Sequence, residues 1–520
     1  MPARFTKDRA IEATRKGFVV NDGANKPSGR PKARLPRGFR DSTGVSLEYQ
    51  ELIVQKLARV FSNYGFERLV TPTVEFADAL GKFLPDQDRP NEGVFSFRDD
   101  DGQWLVLRYD LTAPLARYVS QNFEGLAFPF RRFQTGSVFR DEKPGPGRFR
   151  EFLQFDADTV GSGSMAADAE ICMLVADALE ALDIRREDYV IKINNRKILN
   201  GILELVGVSA GAEGDVGRLR ILRAMDKLDR LGREGVAQLL TGGRTDPSGD
   251  RTEGAGLTAD QADRILAFLD AGAGDGARAV DVLGQLVQGS SVGEEGVAEL
   301  VQIESMLRAA GYGEDRARID PSVVRGLEYY TGPVFEAELT FDTEGEDGLP
   351  VRFGSVGGGG RYDYLVERFL GRKVPATGFS IGVSRLVAAL ELKNLLPRDT
   401  VAGPVVVLVL DRGRLEGYQA MTAELRNAGI RAELYLGESG MRAQLKYADK
   451  RSAPVVVIEG DDERGRGEVT LKNMALGSEL SREIQSREEW AKGAQTQSTV
   501  KRGDLVAEVG RMLDSARGVG

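Results

Sequence analysis

The chain has 520 residues, 41% of them hydrophobic and 29% charged, with a formal net charge of −9. It is too long for one ordinary core and too apolar for disorder, so two to four domains are expected. It contains no histidine and one cysteine, Cys172. That removes histidine-based catalytic triads, His-ligated metal sites, an internal disulfide and a cysteine-built zinc site. The lone thiol fits a reducing, cytoplasmic setting, and no run reaches the roughly 20 apolar residues of a membrane helix. The acidic balance argues against a uniformly basic nucleic-acid coat but leaves room for a local basic patch.

Residues 1–34 are read as a mobile basic arm, with Lys and Arg outnumbering acids and little apolar periodicity. A transit peptide is the alternative, and Asp8, Glu12 and Asp22 count against it. Order is expected from LPRGFRD (35–41). Ile53, Leu57, Val60, Phe61 and Tyr64 then recur at helical spacing, and FERLVTPTVEF (66–76) reads as an edge strand closed by Pro72. Four strand-like runs follow closely: VFSFRD, WLVLRYD, FRRFQTGSVFRD and EFLQFDADTVG. Such spacing favours a mostly antiparallel sheet. A helix carrying Ile171, Leu174, Val175, Ala178 and Leu182 comes next. Strand signals vanish over 196–318, read as a helical insertion. They return in 319–398, and 403–520 alternates strand and helix as a small α/β domain.

Five segments carry chemistry. FRDEKPGPGRFREF (139–152) places Arg140, Lys143, Arg148 and Arg150 around a Gly/Pro turn, suited to phosphate oxygens; alone, a charged surface hairpin explains it more simply. VRFGSVGGGGRYDYLV (351–366) is sheet-like; within it the four glycines of GSVGGGGRYD (354–363) allow backbone approach to a flat ligand, with an ordinary Gly-rich turn the simpler account, and the segment lacks the Lys-Ser/Thr ending of a P-loop. RGLEYYTG (325–332) joins an arginine to two tyrosines, which a packed aromatic strand explains equally well. LRYDLTAPLARY (107–118) sets Asp110 and Thr112 on one face of a candidate strand, a pair able to grip an ammonium group. Surface decoration is the plainer account of that pair in isolation. Arg385 opens a helix, where capping or a salt bridge would suffice.

The order of FRDE…GRFREF, RGLEYY, GGGGRYD and GFSIGVSR, ahead of an α/β domain, resembles class II aminoacyl-tRNA synthetases, and within them the histidyl-tRNA synthetases. The resemblance covers roughly residues 35–515. It implies an α+β fold: an antiparallel sheet flanked by helices (35–195 and 319–398), a helical insertion, and an anticodon-binding C-terminal domain. It also implies a homodimer whose interface includes the strand of Pro72. The implied reaction joins L-histidine to ATP as histidyl-adenylate, releasing pyrophosphate, and then loads the 3′ end of tRNA(His). Magnesium would accompany ATP. By this resemblance Arg140, Arg325 and Arg385 are the catalytic cations. Arg140, Glu142, Phe152 and Arg385 meet ATP. Asp110, Leu111, Thr112, Gln154, Asp158, Tyr329, Tyr330 and Tyr362, with Arg140 and Arg325, surround histidine. Asp158 and Tyr330 read its ring.

Two departures from the family pattern stand out. Lys143-Pro144-Gly145-Pro146 replaces a polar arginine/glutamine loop, so altered reading of the tRNA acceptor end is expected, with less reliance on an extra 5′ guanosine. Ser384 takes a position often held by glutamate. A catalytically silent regulator on the same fold is the rival reading, disfavoured because Arg140, Arg325 and Arg385 persist together with the C-terminal domain. The absence of histidine also raises the idea that the message stays translatable when histidine is scarce, with compositional drift as the alternative.

Overall fold

A computed structural model describes residues 32–79, 93–144, 149–208, 212–225, 227–245, 251–271, 276–324, 330–344, 350–393, 395–396, 403–474 and 496–517. The segment 1–31, most of the basic arm, lies outside them, as do Arg148, Arg325 and Tyr329. Among the described residues no helix is long and apolar enough to cross a membrane.

Helix α1 (Val45–Asn63) buries Tyr49, Ile53, Leu57 and Phe61, the stripe that the fourfold spacing predicts, while Val60 and Tyr64 are half-buried. The expected strand over 66–76 is broken in two. Glu67–Arg68 (β1) joins the main sheet and Val74–Phe76 (β2) joins a three-stranded sheet with Ser96–Arg98 (β3) and Trp104–Leu107 (β4). The change of sheet falls at Pro72, which has no N–H to give a ladder. The Arg108 guanidinium instead holds the carbonyls of Thr71 (3.0 Å) and Pro72 (3.4 Å).

The main sheet has eight strands. To β1 it adds Phe130–Phe139 (β5), Glu151–Val160 (β6), Tyr189–Asn195 (β7), Ala317–Ile319 (β10), Pro333–Glu344 (β11), Pro350–Arg361 (β12) and Ala376–Gly382 (β13). Their order is β1-β5-β6-β13-β12-β11-β7-β10. The inner pairs are antiparallel, and only the two edge pairs, β1–β5 and β7–β10, are parallel. Helices α1, α3 (Met165–Glu180) and α11 (Val383–Leu392) pack against one face and share its core.

Between β7 and β10 run helices α4 (Arg196–Leu205) to α9 (Ser291–Ala309). The strand signals do not vanish there completely. Gly243–Thr245 (β8) and Arg251–Glu253 (β9) form a hairpin, and β10, placed at the end of the insertion by sequence, is an edge strand of the main sheet. Three-residue strands are too short to leave a readable alternation. The insertion does not keep a separate core, because Ile198, Leu266 and Leu300 belong to the same buried cluster as Phe155 and Ile191.

The C-terminal domain has Val405–Val407 (β14), Ala432–Leu434 (β15), Val455–Ile458 (β16), Glu468–Asn473 (β17) and Gln497–Lys501 (β18) in the order β15-β14-β16-β17-β18. The first three are parallel and the last two antiparallel. Val405 and Val407 fall in one core cluster and Val406 and Leu408 in another. A strand covered on both faces must be apolar throughout, which is why VVVLVL is continuous.

Candidate active site

Because side chains alternate along a strand, Phe152, Gln154, Asp156 and Asp158 of β6 share one face. The register sets Asp158 opposite Arg132 on one side and Gly378 on the other; Asp156 lies opposite Gln134 and Ser380, and Gln154 opposite Gly136 and Gly382. Further across, Gly378 faces Gly360 and Ser380 faces Gly358, which in turn face Val334 and Glu336 of β11. This face floors a cleft of about 380 Å³.

The glycine run 357–360 is therefore not a turn. It is extended strand, and its missing side chains create the space above the floor. At Gly378 a Cβ would stand 2.0 Å from Asp158 Oδ1, and at Gly359 one would stand 2.1 Å from the Gly378 carbonyl. Glycine is required at both positions.

Eight of the residues expected at the site line this one cleft: Asp110, Thr112, Arg140, Gln154, Asp158, Tyr330, Tyr362 and Arg385. They come from five separate stretches of chain. Asp110 and Thr112 are not on a strand, since Thr112 is the first residue of helix α2 (Thr112–Asn122). Asp110 Oδ1 accepts the Thr112 and Ala113 N–H groups at 3.1 and 2.9 Å, satisfying donors of the first turn, and Pro114 is tolerated there because it needs no hydrogen bond. Leu111 is fully buried; its contribution is a carbonyl that accepts from Arg132 Nη2 at 3.0 Å.

Asp158 is buried between Arg132, whose Nη2 stands 2.7 Å from Oδ2, and the Tyr362 hydroxyl, which donates to Oδ1. Arg132 is itself wholly buried, and its Nε and Nη1, like Gln154 Oε1, find no hydrogen-bond partner among the described residues. Buried groups of this kind normally have partners; Gln154 lines the cleft and so offers an acceptor to a ligand, whereas Arg132 lies behind the lining and acts through Asp158. Burial drives the Asp158 and Asp110 carboxyls upward from their ordinary range, and the nearby guanidiniums oppose it.

Arg140 lies at the mouth. Its guanidinium is 4.4 Å from the centre of the Tyr109 ring and 5.2 Å from that of Phe152. Glu142 is exposed and accepts from the Tyr109 hydroxyl at 3.2 Å. Neither Phe152 nor Glu142 lines the cleft itself. Of the other cations in that hairpin, Arg150 braces it, pairing with Asp141 at 2.9 Å and donating to the Glu142 carbonyl at 3.0 Å. The tip, 145–148, lies outside the described residues. Arg385, on α11, donates to the Phe353 carbonyl. Its neighbour Ser384 accepts the Leu153 N–H at 3.1 Å, so the serine ties α11 to β6.

Four polar lining residues were not expected from sequence: Asp156, Glu336, Ser355 and Ser380. The twofold period of β6 was enough to find Asp156 once Gln154 and Asp158 were chosen. Ser380 and Glu336 depend on strand register, which sequence did not supply.

The histidyl-tRNA synthetase family model matches residues 38–386, and an anticodon-binding domain model matches 404–509. The chain belongs to the histidyl-tRNA synthetase family. Histidine–tRNA ligase of Brucella ovis is 57% identical over 487 residues, 93% of this chain and 96% of that protein. The Methylocella silvestris enzyme is 56% identical over 491 residues, 93% and 97% of the two chains. Among solved structures, histidyl-tRNA synthetase from Nostoc superposes with a TM-score of 0.67 at 27% identity, covering 93% of this chain and all of the other.

Proposed function

We propose that this synthetase activates L-histidine in the cleft floored by β6, β12 and β13, and then passes it to tRNA(His). The observation that carries this reading is the convergence of Asp110, Thr112, Gln154, Asp158, Tyr330 and Tyr362 around a glycine floor, with Arg140 and Arg385 beside it. Asp110 and Thr112 take the substrate ammonium. Asp158, held by Arg132 and Tyr362, accepts from one ring nitrogen, and Tyr330 serves the other. An apolar amino acid of similar size would bring no donor or acceptor to these polar groups in exchange for the water it displaces, and would be rejected.

Histidine's carboxylate oxygen bonds to the ATP α-phosphorus as the bond to the pyrophosphate oxygen breaks. Negative charge builds on phosphate oxygens, so fixed guanidiniums are the natural catalysts. Arg140 and Arg325 are assigned to the α-phosphate, and Arg385 to the γ-phosphate and adenine. Phe152 is assigned to stacking on adenine, with Glu142 at its edge, and Tyr329 to the wall of the amino-acid pocket; Leu111 serves histidine binding through its carbonyl, which holds Arg132. Magnesium enters with the nucleotide, on its phosphates. No step needs a protein histidine, since a substrate phosphate oxygen can act as base.

The protein is proposed to work in the cytoplasm as a homodimer. The segment around Pro72 exposes Val70 (67%), Phe76 (48%) and, on β3 across β4, Phe97 (43%), a group of apolar side chains suited to a partner copy. ATP–pyrophosphate exchange measured with each amino acid in turn tests the assignment: exchange with histidine alone is expected, and exchange with another amino acid or with none overturns it.

A further inference from the structure

Asp156 has no part in the assignments above, yet it is 2% exposed and lines the same cleft as Asp158. Two residues apart on one strand face, the two carboxyls leave the backbone about 7 Å apart. Their neighbours differ. Asp158 has Arg132 and the Tyr362 hydroxyl. Asp156 accepts from the Ser380 hydroxyl at 2.5 Å and has the neutral Gln134 on its other flank, itself tied to Thr71 at 3.0 Å. A second carboxylate beside an ionised one, in a buried site, is a natural place for a proton.

We propose that Asp156 and the ring of bound histidine hold one proton between them, so that the pocket admits histidine with its ring either neutral or protonated. A carboxyl with an imidazole, and a carboxylate with an imidazolium, contain the same atoms, the same proton and the same net charge. Exchange between them leaves the ion pair of Arg132 and Asp158 undisturbed. Histidine in solution is a mixture of both ring forms near neutral pH, and this arrangement spares the enzyme from discarding either. The proposal rests on the assignment of the cleft to histidine and makes Asp156 a positioning residue for the ring's charge state.

The charged and titratable groups facing Asp156 are Arg132 on β5, Asp158 on its own strand, Asp110 ahead of α2, and Arg108, whose guanidinium occupies the space above Gly136. Burial raises the Asp156 carboxyl to about 7, with Asp158 and Asp110 acting in the same direction and Arg132 and the Ser380 hydrogen bond against it. The free ring titrates at about 6.5. If the complex keeps one proton, histidine affinity peaks between these values and falls about fivefold by pH 5.5 and again by pH 8.

The test is calorimetric titration of the full chain with L-histidine from pH 5.5 to 8, in buffers of different ionisation enthalpy, for the native protein and for Asp156→Asn. The native protein should release about two-thirds of a proton at pH 6 and take up about two-thirds at pH 7.5. D156N should keep one falling limb of the affinity profile and lose the other. Should D156N fail to fold, the reversal of proton exchange in the native protein still decides. A sign that stays the same from pH 6 to 7.5, or identical profiles for the two proteins, overturns the proposal while leaving the histidine assignment standing. No histidine binding by the native protein removes both.

Discussion

The floor of the cleft and the C-terminal sheet are both buried β-structure, but they are built on opposite terms. Val405, Val406, Val407, Val455, Val456 and Val457 are at most 1% exposed, and helices cover both faces of their strands. The cleft floor alternates buried carboxyls with glycines and draws its compensation from Arg132, Tyr362 and Ser380. One sheet is stabilised by burying area and the other gives up area to hold charge. Damage to the first should therefore lower stability and spare activation, whereas damage to the second should lower both.

The largest expected effect is on Arg140. R140A removes the cation assigned to the developing phosphate charge, and histidine-dependent ATP–pyrophosphate exchange should fall by about 10²–10³-fold. Next is D158N, which leaves the fully buried Arg132 without its partner. Breaking a buried pair costs about 3–5 kcal/mol, read as a lower unfolding midpoint in denaturant together with a raised KM for histidine. A smaller effect is expected from V457A. Removing two methyls from a fully buried side chain should cost the C-terminal domain about 2 kcal/mol, seen in thermal unfolding, while exchange stays within about twofold of the native rate. A comparable loss of exchange in V457A would break the contrast between the two sheets. The smallest is S384A, which leaves the Leu153 N–H without its acceptor. About 1 kcal/mol of stability should be lost, with kcat for activation changed less than in R140A.

The contrast also explains what was legible. The C-terminal strands were readable because burial on both faces leaves an apolar run, although β18 (Gln497–Lys501), polar and half-exposed, was missed. The motif segments grouped Asp110, Gln154, Asp158 and Tyr362, and these four line one cleft, yet the turn reading of the glycines and the strand reading of Asp110 and Thr112 missed the local shape. The glycine run looked like a turn because glycine has no strand propensity; close strand packing and the approach of Asp158 hold it extended. Thr112 looked like strand because capping by Asp110, which starts the helix, is a contact and not a periodicity. Asp156 and Ser380 form a pair 224 residues apart, and only register brings them together. Arg325 and Tyr329 lie outside the described residues, and their roles remain those implied by family resemblance.

The central claim is that the carboxyl-and-glycine floor selects and activates histidine. Its most direct test is histidine-dependent ATP–pyrophosphate exchange measured side by side for the native chain, D158N and V457A at saturating ATP. Exchange with histidine is expected in the native chain, with a loss of histidine kcat/KM of at least about 100-fold in D158N and a near-native value in V457A. Native-like kcat/KM in a folded D158N would contradict it.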